Sequence, residues 1–546
     1  MKTRIVLFWI FIFSSLFPQL EAKVHNLIEK TGLATIERTE QGNSLELQFS
    51  IKSFESKELR EESPYQGFSE LDFGELDKTH TVGEPALPYY SIVVEGRPEF
   101  ISVTTEKGTV NNFKNLMPGP AQEQPCRCKK VAKKGFQVSW KSYQSSQKEL
   151  VKVEYLGDFR GVPLSRVLVK LATFSESEGL SVFSSLKIKI EGSSNFHTDL
   201  NQFLSGQNNN KKYLIITPLI FKQALNKFVS WKEELGFDVT VVTLEEVGET
   251  FSAVKEYIHR TYKQEQWNYS LLVGHEGSFP TEYVETSSDP KTPSDLHYFT
   301  MGGEDDFIPD VFSGRMVVDS VEEVLRQTSK IMAYEKGSNQ KGKENYIGIA
   351  SDEGYDPTDV EYIEQMASPL KNEHHLKVNY FFQKNTDSTP QNINNVLSSG
   401  ASWMNYIGHG AGDSWPSLYG KEYHSKDIKN IAPGAAKPII IDVACQNGRF
   451  SYEGRLGERF LNEENSGRPV GAVAYYGGSV DISWHPPAIM AVGLNKLLVK
   501  KKIKVLGEAL LAGQMYLYNN YDEQSSIREN FVWYHLFGDP SLKIKF

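Results

Sequence analysis

Cysteine is nearly absent from this chain: 546 residues hold three. That excludes a small disulfide-stapled scaffold and leaves the hydrophobic core to carry stability. No stretch is dense in Lys or Arg, and 69 acidic residues outnumber 59 basic ones for a net charge of −10. A general nucleic-acid binder carries the opposite field. After the first 22 residues no apolar run is long enough to span a bilayer. What is present is a globular composition, 39% apolar and 12% aromatic. Its length exceeds one core and predicts two to four domains.

Residues 1–22 read as an export signal. Lys2 and Arg4 give a basic end, Ile5–Phe17 an apolar run, and Leu20-Glu21-Ala22 a small-residue exit. An uncleaved anchor is the alternative, and the run is short for one. The chain is therefore expected outside the cytoplasm, secreted or periplasmic, without stable membrane insertion once the signal is removed.

From Lys23 to about Gly206 short alternating segments such as Leu45–Phe49 and Leu186–Ile190 predict a β-rich, sandwich-like domain. Cys126-Arg127-Cys128 lies within it and leaves three possibilities open: a weak mutual pairing, two free thiols, or a bond to another chain. Residues 207–212 are a polar, amide-rich linker ending in Lys211-Lys212, which suits a processing point as well as a plain interdomain loop.

The pattern then changes. Tyr213–Thr217, a helical stretch over Phe221–Leu235 and a strand at Phe237–Val242 form a βαβ unit. Tyr346–Ala350, Val360–Leu370 and Val378–Phe382 repeat that pattern. Two α/β halves, 213–340 and 341–546, are expected, side by side or in one sheet. Three later strand-like runs, Ala401–Ile407, Pro438–Ala444 and Val470–Tyr476, lead into Gly408-His409-Gly410, Cys445-Gln446-Asn447-Gly448 and Gly477-Gly478-Ser479, with Asp481 and Trp484 beyond. Ligands of open parallel sheets sit beyond the strands' carboxyl ends, so His409 and Cys445 would share one crevice. Cys445 would be the nucleophile, helped by nearby helix dipoles, and His409 would protonate the leaving amine. The N–H groups of Gly410 and Cys445 would face a developing oxyanion.

Tyr406–Gly410, Asp442–Gly448, Leu536–Leu542 and Asp310–Arg315 together resemble the gingipain family of cysteine peptidases, peptidase family C25, from about Lys212 to the end of the chain. The resemblance implies a caspase-like α/β catalytic unit of two subdomains with mainly parallel sheets. It implies a zymogen whose residues 23–206 are a prodomain, a partner of the mature enzyme beside its protein or peptide substrates. It implies an acidic residue orienting His409, for which Asp356 is favoured over Glu353. It also implies cleavage after Lys or Arg, with Asp481 at the base of the pocket and Trp484 as its wall. Ile407, where the lysine-specific type has a hydroxyl, weakens the case for lysine alone. No cofactor is required for the chemistry, and structural calcium at Glu304-Asp305-Asp306 is compatible with the family. A sortase-like transpeptidase and a silent adhesion or binding protein are the rival readings.

Overall fold

The computed structural model describes residues 23–25, 34–59, 67–74, 76–105, 109–123, 126–127, 135–145, 149–192, 211–338, 340–354 and 357–546. The expected signal at 1–22, most of the linker, and Asp356 lie outside the described residues.

The N-terminal region is antiparallel throughout its larger sheets. Ala34–Gln41, Ser44–Ile51, Ser185–Gly192 and Pro98–Thr104 run side by side in one. Val151–Phe159, Val162–Lys170 and Tyr89–Glu95 form a second. Strand Ser44–Ile51 alternates strictly, with Leu45, Leu47, Phe49 and Ile51 buried on one face. That alternation is what a sheet needs when it is covered on one side only.

The remainder is built on one continuous sheet whose ten strands, in chain order, are β1 (Lys212–Thr217), β2 (Asp238–Thr243), β3 (Tyr269–Val273), β4 (Phe312–Met316), β5 (Asn345–Ala350), β6 (Lys377–Phe382), β7 (Trp403–Ile407), β8 (Ile439–Val443), β9 (Ala474–Gly478) and β10 (Tyr534–Phe537). Their spatial order is β2-β1-β3-β4-β10-β9-β8-β7-β5-β6. Neighbours are parallel within each half, and the halves meet where β10 runs parallel to β4 but antiparallel to β9. The two halves are thus one sheet. The last strand crosses back to run with the first half, so the second half is not a closed unit.

Central strands β3, β7 and β8 are buried along their whole length, as expected for strands covered by helices on both faces. The N-terminal region docks on this body with shared core: Val93, Leu156, Phe159 and Leu164 belong to the same buried cluster as Tyr213, Phe312 and Tyr518. Ser91 Oγ donates to the Tyr518 carbonyl at 2.6 Å, and Arg166 Nη1 to that of Tyr521 at 2.7 Å. Among the described residues no helix is long and apolar enough to cross a membrane. Lys212 opens β1, and its carbonyl accepts from Asn268 N–H at 3.1 Å. A cut beside Lys211 or Lys212 would therefore fall at the rim of the sheet.

Candidate active site

Four neighbouring strands, β9, β8, β7 and β5, end at one edge, and each delivers residues to the same crevice. Cys445 lies two residues beyond β8 and His409 two beyond β7; the strands are adjacent and parallel. Glu353 follows β5, and Asp481 to Trp484 follow β9.

Cys445 is a free, fully buried thiol. The backbone donor that reaches its sulfur is Ile482 N–H at 3.2 Å. The first N–H groups of helix Leu456–Asn462 donate to the Gly412 and Asn447 carbonyls, at 2.8 and 3.0 Å. Burial, then the Asp481 carboxylate, pushes the thiol well above its ordinary pKa, against opposing help from Ile482 N–H and Arg127. Gln446 follows in a left-handed conformation, φ 60°. Its N–H is tied to the Val480 carbonyl at 2.9 Å, so the turn is held from β9. Gly410 packs against this turn. A side chain there would put its first carbon 2.1 Å from the Cys445 carbonyl oxygen, so only glycine lets the two backbones meet.

His409 Nε2 stands 3.0 Å from both carboxylate oxygens of Glu353. Its Nδ1 is buried with no hydrogen-bond partner. Glu353 fixes the tautomer with the proton on Nε2 and leaves Nδ1 as the nitrogen free to exchange protons. The sequence favoured Asp356 for this position; Asp356 lies outside the described residues, and the carboxylate seen on the ring is Glu353.

The crevice is filled by a residue from the N-terminal region. Arg127 is fully buried, and its backbone lies along the segment after β9: Arg127 N–H donates to the Ile482 carbonyl at 3.0 Å, and Cys126 bridges Ser483 in antiparallel fashion. Its carbonyl oxygen accepts from Gly410 N–H at 3.2 Å. Its guanidinium makes a fork with Asp359, Nη1 and Nη2 each 2.9 Å from one carboxylate oxygen. Nε and Nη2 also donate to the Trp484 carbonyl at 3.0 and 2.9 Å. The Trp484 ring lies 4.2 Å from the guanidinium carbon. Gly354, at φ +83°, makes room for that indole: a side chain there would meet Trp484 Nε1 at 2.9 Å. Cys126, next to Arg127, is disulfide-bonded.

Asp481, expected at the base of a basic-residue pocket, does not meet the arginine; its Oδ1 accepts from Gln446 Nε2 at 2.8 Å. The carboxylate on the guanidinium is Asp359, the first residue of helix Asp359–His374. Thr358 and Glu361 close that helix's N-terminus as a capping box, and Ser351 Oγ donates to Asp359 Oδ2 at 2.6 Å. Sequence reading missed both Arg127 and Asp359. The Cys-Arg-Cys triplet was noticed for its cysteines rather than for the arginine between them. Asp359 falls three residues past the acidic loop Asp352–Asp356. As for calcium, Glu304 and Asp305 are exposed, while Asp306 gives its oxygens to Gly302 N–H at 2.9 Å and Ile308 N–H at 3.0 Å. Among the described residues no group of three His, Cys, Asp or Glu is placed to hold an ion.

A sheet that brings a histidine and a free cysteine from adjacent parallel strands to one edge, beside an occupied arginine pocket, has the layout of a cysteine-nucleophile site. Residues 206–545 match the model of peptidase family C25, and the chain belongs to that family. Gingipain R2 of Porphyromonas gingivalis strain W83 is 27% identical over 354 residues, covering 62% of this chain and 46% of that protein. A Lys-gingipain of the same species is 24% identical over 389 residues, 64% of this chain and 22% of that protein. The chain thus spans about half or less of the length of these curated relatives. Among solved structures, the Arg-specific cysteine proteinase gingipain R superposes with a TM-score of 0.57 at 24% identity, over 62% of this chain and 79% of that one. A complex of the pro- and mature domains of a P. gingivalis gingipain gives 0.56 at 24% identity, over 61% and 80%. These likenesses support the mixed α/β fold.

Proposed function

We propose that this chain is the latent form of an exported cysteine endopeptidase that cleaves after arginine. The observation that carries the reading is Arg127 and its strand, laid in the crevice as a substrate would lie. In this reading residues 23–206 are the prodomain, and Arg127 occupies the pocket for the residue whose carbonyl is attacked.

The chemistry follows from the placement of the groups. The Cys445 sulfur attacks the arginyl carbonyl carbon, and Gly410 N–H, already on that oxygen in the plugged state, holds the developing oxyanion. The Cys445 N–H completes the hole. One such donor is worth about 100- to 1,000-fold in rate. His409 Nδ1 takes the thiol proton as the sulfur attacks and delivers it to the departing amine; it then takes one from the water that hydrolyses the thioester and returns it to the leaving sulfur. Glu353 holds the ring while it does so.

Arginine is preferred over lysine because the pocket offers a planar pair of acceptors on two sides. Asp359 takes two parallel N–H bonds and the Trp484 carbonyl takes two more. An ammonium on one nitrogen cannot span both, and it leaves a buried acceptor unpaired. Latency follows from the same contacts. The plug fills the pocket and buries Cys445, which keeps the sulfur protonated and a poor nucleophile. The first 22 residues support export.

The test is turnover of arginyl, lysyl and aspartyl peptide reporters by purified protein under reducing conditions, before and after brief trypsin treatment. Turnover of the arginyl reporter should appear after treatment, exceed that of the lysyl reporter at least tenfold, and vanish in Cys445→Ala. Equal turnover of the arginyl and lysyl reporters would remove the selectivity argument. No turnover would remove the peptidase reading.

A further inference from the structure

Asp442 is the penultimate residue of β8, three before Cys445, and it is fully buried. A buried carboxylate without a cation is costly, and here burial pushes its carboxyl up to about 7. Three donors converge on it and offset that cost in part. Trp415 Nε1 donates to Oδ1 at 3.0 Å, Asn447 Nδ2 to Oδ2 at 3.0 Å, and the Tyr475 hydroxyl makes a short bond to Oδ2.

Two of these donors lead to the reacting pair by separate routes. Asn447 is two residues past Cys445, and its Oδ1 accepts from Gly412 N–H at 2.9 Å, so it ties the cysteine turn to the histidine turn. Trp415 lies flat on Tyr406, ring centres 4.7 Å apart at 13°. The Tyr406 hydroxyl donates to the His409 carbonyl at 2.7 Å. Asp442 thus stands at the junction of one path to the backbone around Cys445 and another to the backbone of His409.

We infer that Asp442 is a positioning residue: through Asn447 and Trp415 it sets the spacing of the Cys445 and His409 turns, and with them the Gly410 donor. It touches neither substrate nor sulfur. The carboxylate accepts on both oxygens at once; an amide of the same shape presents an N–H to one of these donors and releases either Asn447 or Trp415. Misplacing reacting groups by about 1 Å costs on the order of 100-fold in rate.

The inference rests on the peptidase reading, and its test keeps the two apart. Trypsin-treated full-length wild-type protein must first turn over the arginyl reporter; if it does not, that reading fails and this one with it. Given that activity, Asp442→Asn should lower kcat about 100-fold with KM changed less than threefold, because the Asp359 and Trp484 pocket is untouched. Asn447→Ala should lower kcat similarly, and the double variant should be no worse than either alone, the mark of residues acting through one another. Tyr475→Phe, which leaves both routes intact, should lose less than tenfold. Should Asp442→Asn not accumulate as folded protein, Asn447→Ala and Tyr475→Phe carry the test by their contrast. Unchanged kcat in Asp442→Asn or Asn447→Ala, a fall shared equally between kcat and KM, or additive losses in the double variant would overturn it.

Discussion

Replacing Asp359 by asparagine is expected to lower kcat/KM for arginyl peptides by about 1,000-fold in the enzyme freed of its N-terminal region. The carboxylate is fully buried and makes a two-bond fork with the guanidinium. Removing one partner of such a pair leaves the other charge desolvated and costs about 3–5 kcal/mol, which corresponds to roughly 10²- to 10³-fold or more in rate. Asparagine keeps the volume, and Ser351 Oγ can still donate to its oxygen, so the helix start should be undisturbed. The loss should fall on arginyl substrates and spare the thiol's reaction with a small uncharged alkylating agent. A comparable loss of alkylation rate would mean that Asp359 supports the fold of the crevice rather than the substrate.

Replacing Arg127 by alanine should abolish latency. Arg127 contributes the fork to Asp359, the bonds to the Trp484 carbonyl and the stacking on the Trp484 ring. A buried cation–π contact alone is worth about 2 kcal/mol. The uncut variant chain should therefore turn over arginyl reporters, and its separately added N-terminal region should inhibit the freed enzyme at least 1,000-fold more weakly than the natural one. Without the fork the short pairing at Ile482 should let go, while the shared core around Val93 and Phe159 remains, so the region should stay docked while the crevice opens. Gel filtration distinguishes this from simple detachment. An Arg127→Ala chain that stays silent until cut would place the block elsewhere.

How much of this was legible in the sequence differs from residue to residue. The strands carrying His409 and Cys445 are legible as apolar runs; Gly-His-Gly alone says little, and it is the pair of glycine-flanked residues leaving separate strands that points to one crevice. Strand β8 falls at Ile439–Val443, inside the expected run 438–444. Strand β9 starts at Ala474, four residues later than the apolar pattern suggests, because Gly471 takes a positive φ, and its close approach to Phe460 breaks the strand. The sequence is compatible with two sheets as well as the single ten-stranded one, because only β10 decides it, and its four residues carry no sign of where they insert. The family resemblance puts Asp481 at the base of the pocket. The structure turns it toward Gln446, because the positive-φ turn after Cys445 brings that amide within reach. Arg127 and Asp359 are 232 residues apart, and no local pattern joins them. A complementary pair of that kind becomes visible only when the N-terminal region and the sheet are seen packed together.

The most direct test of the central claim is labelling of the freed enzyme with an arginyl chloromethyl ketone, followed by intact mass and peptide mapping. A single adduct on Cys445 is expected, formed far faster than with the norleucyl analogue and blocked in the uncut chain by the bound Arg127. Labelling indifferent to the arginyl side chain, an adduct on another residue, or equal labelling before and after removal of the N-terminal region would contradict the account.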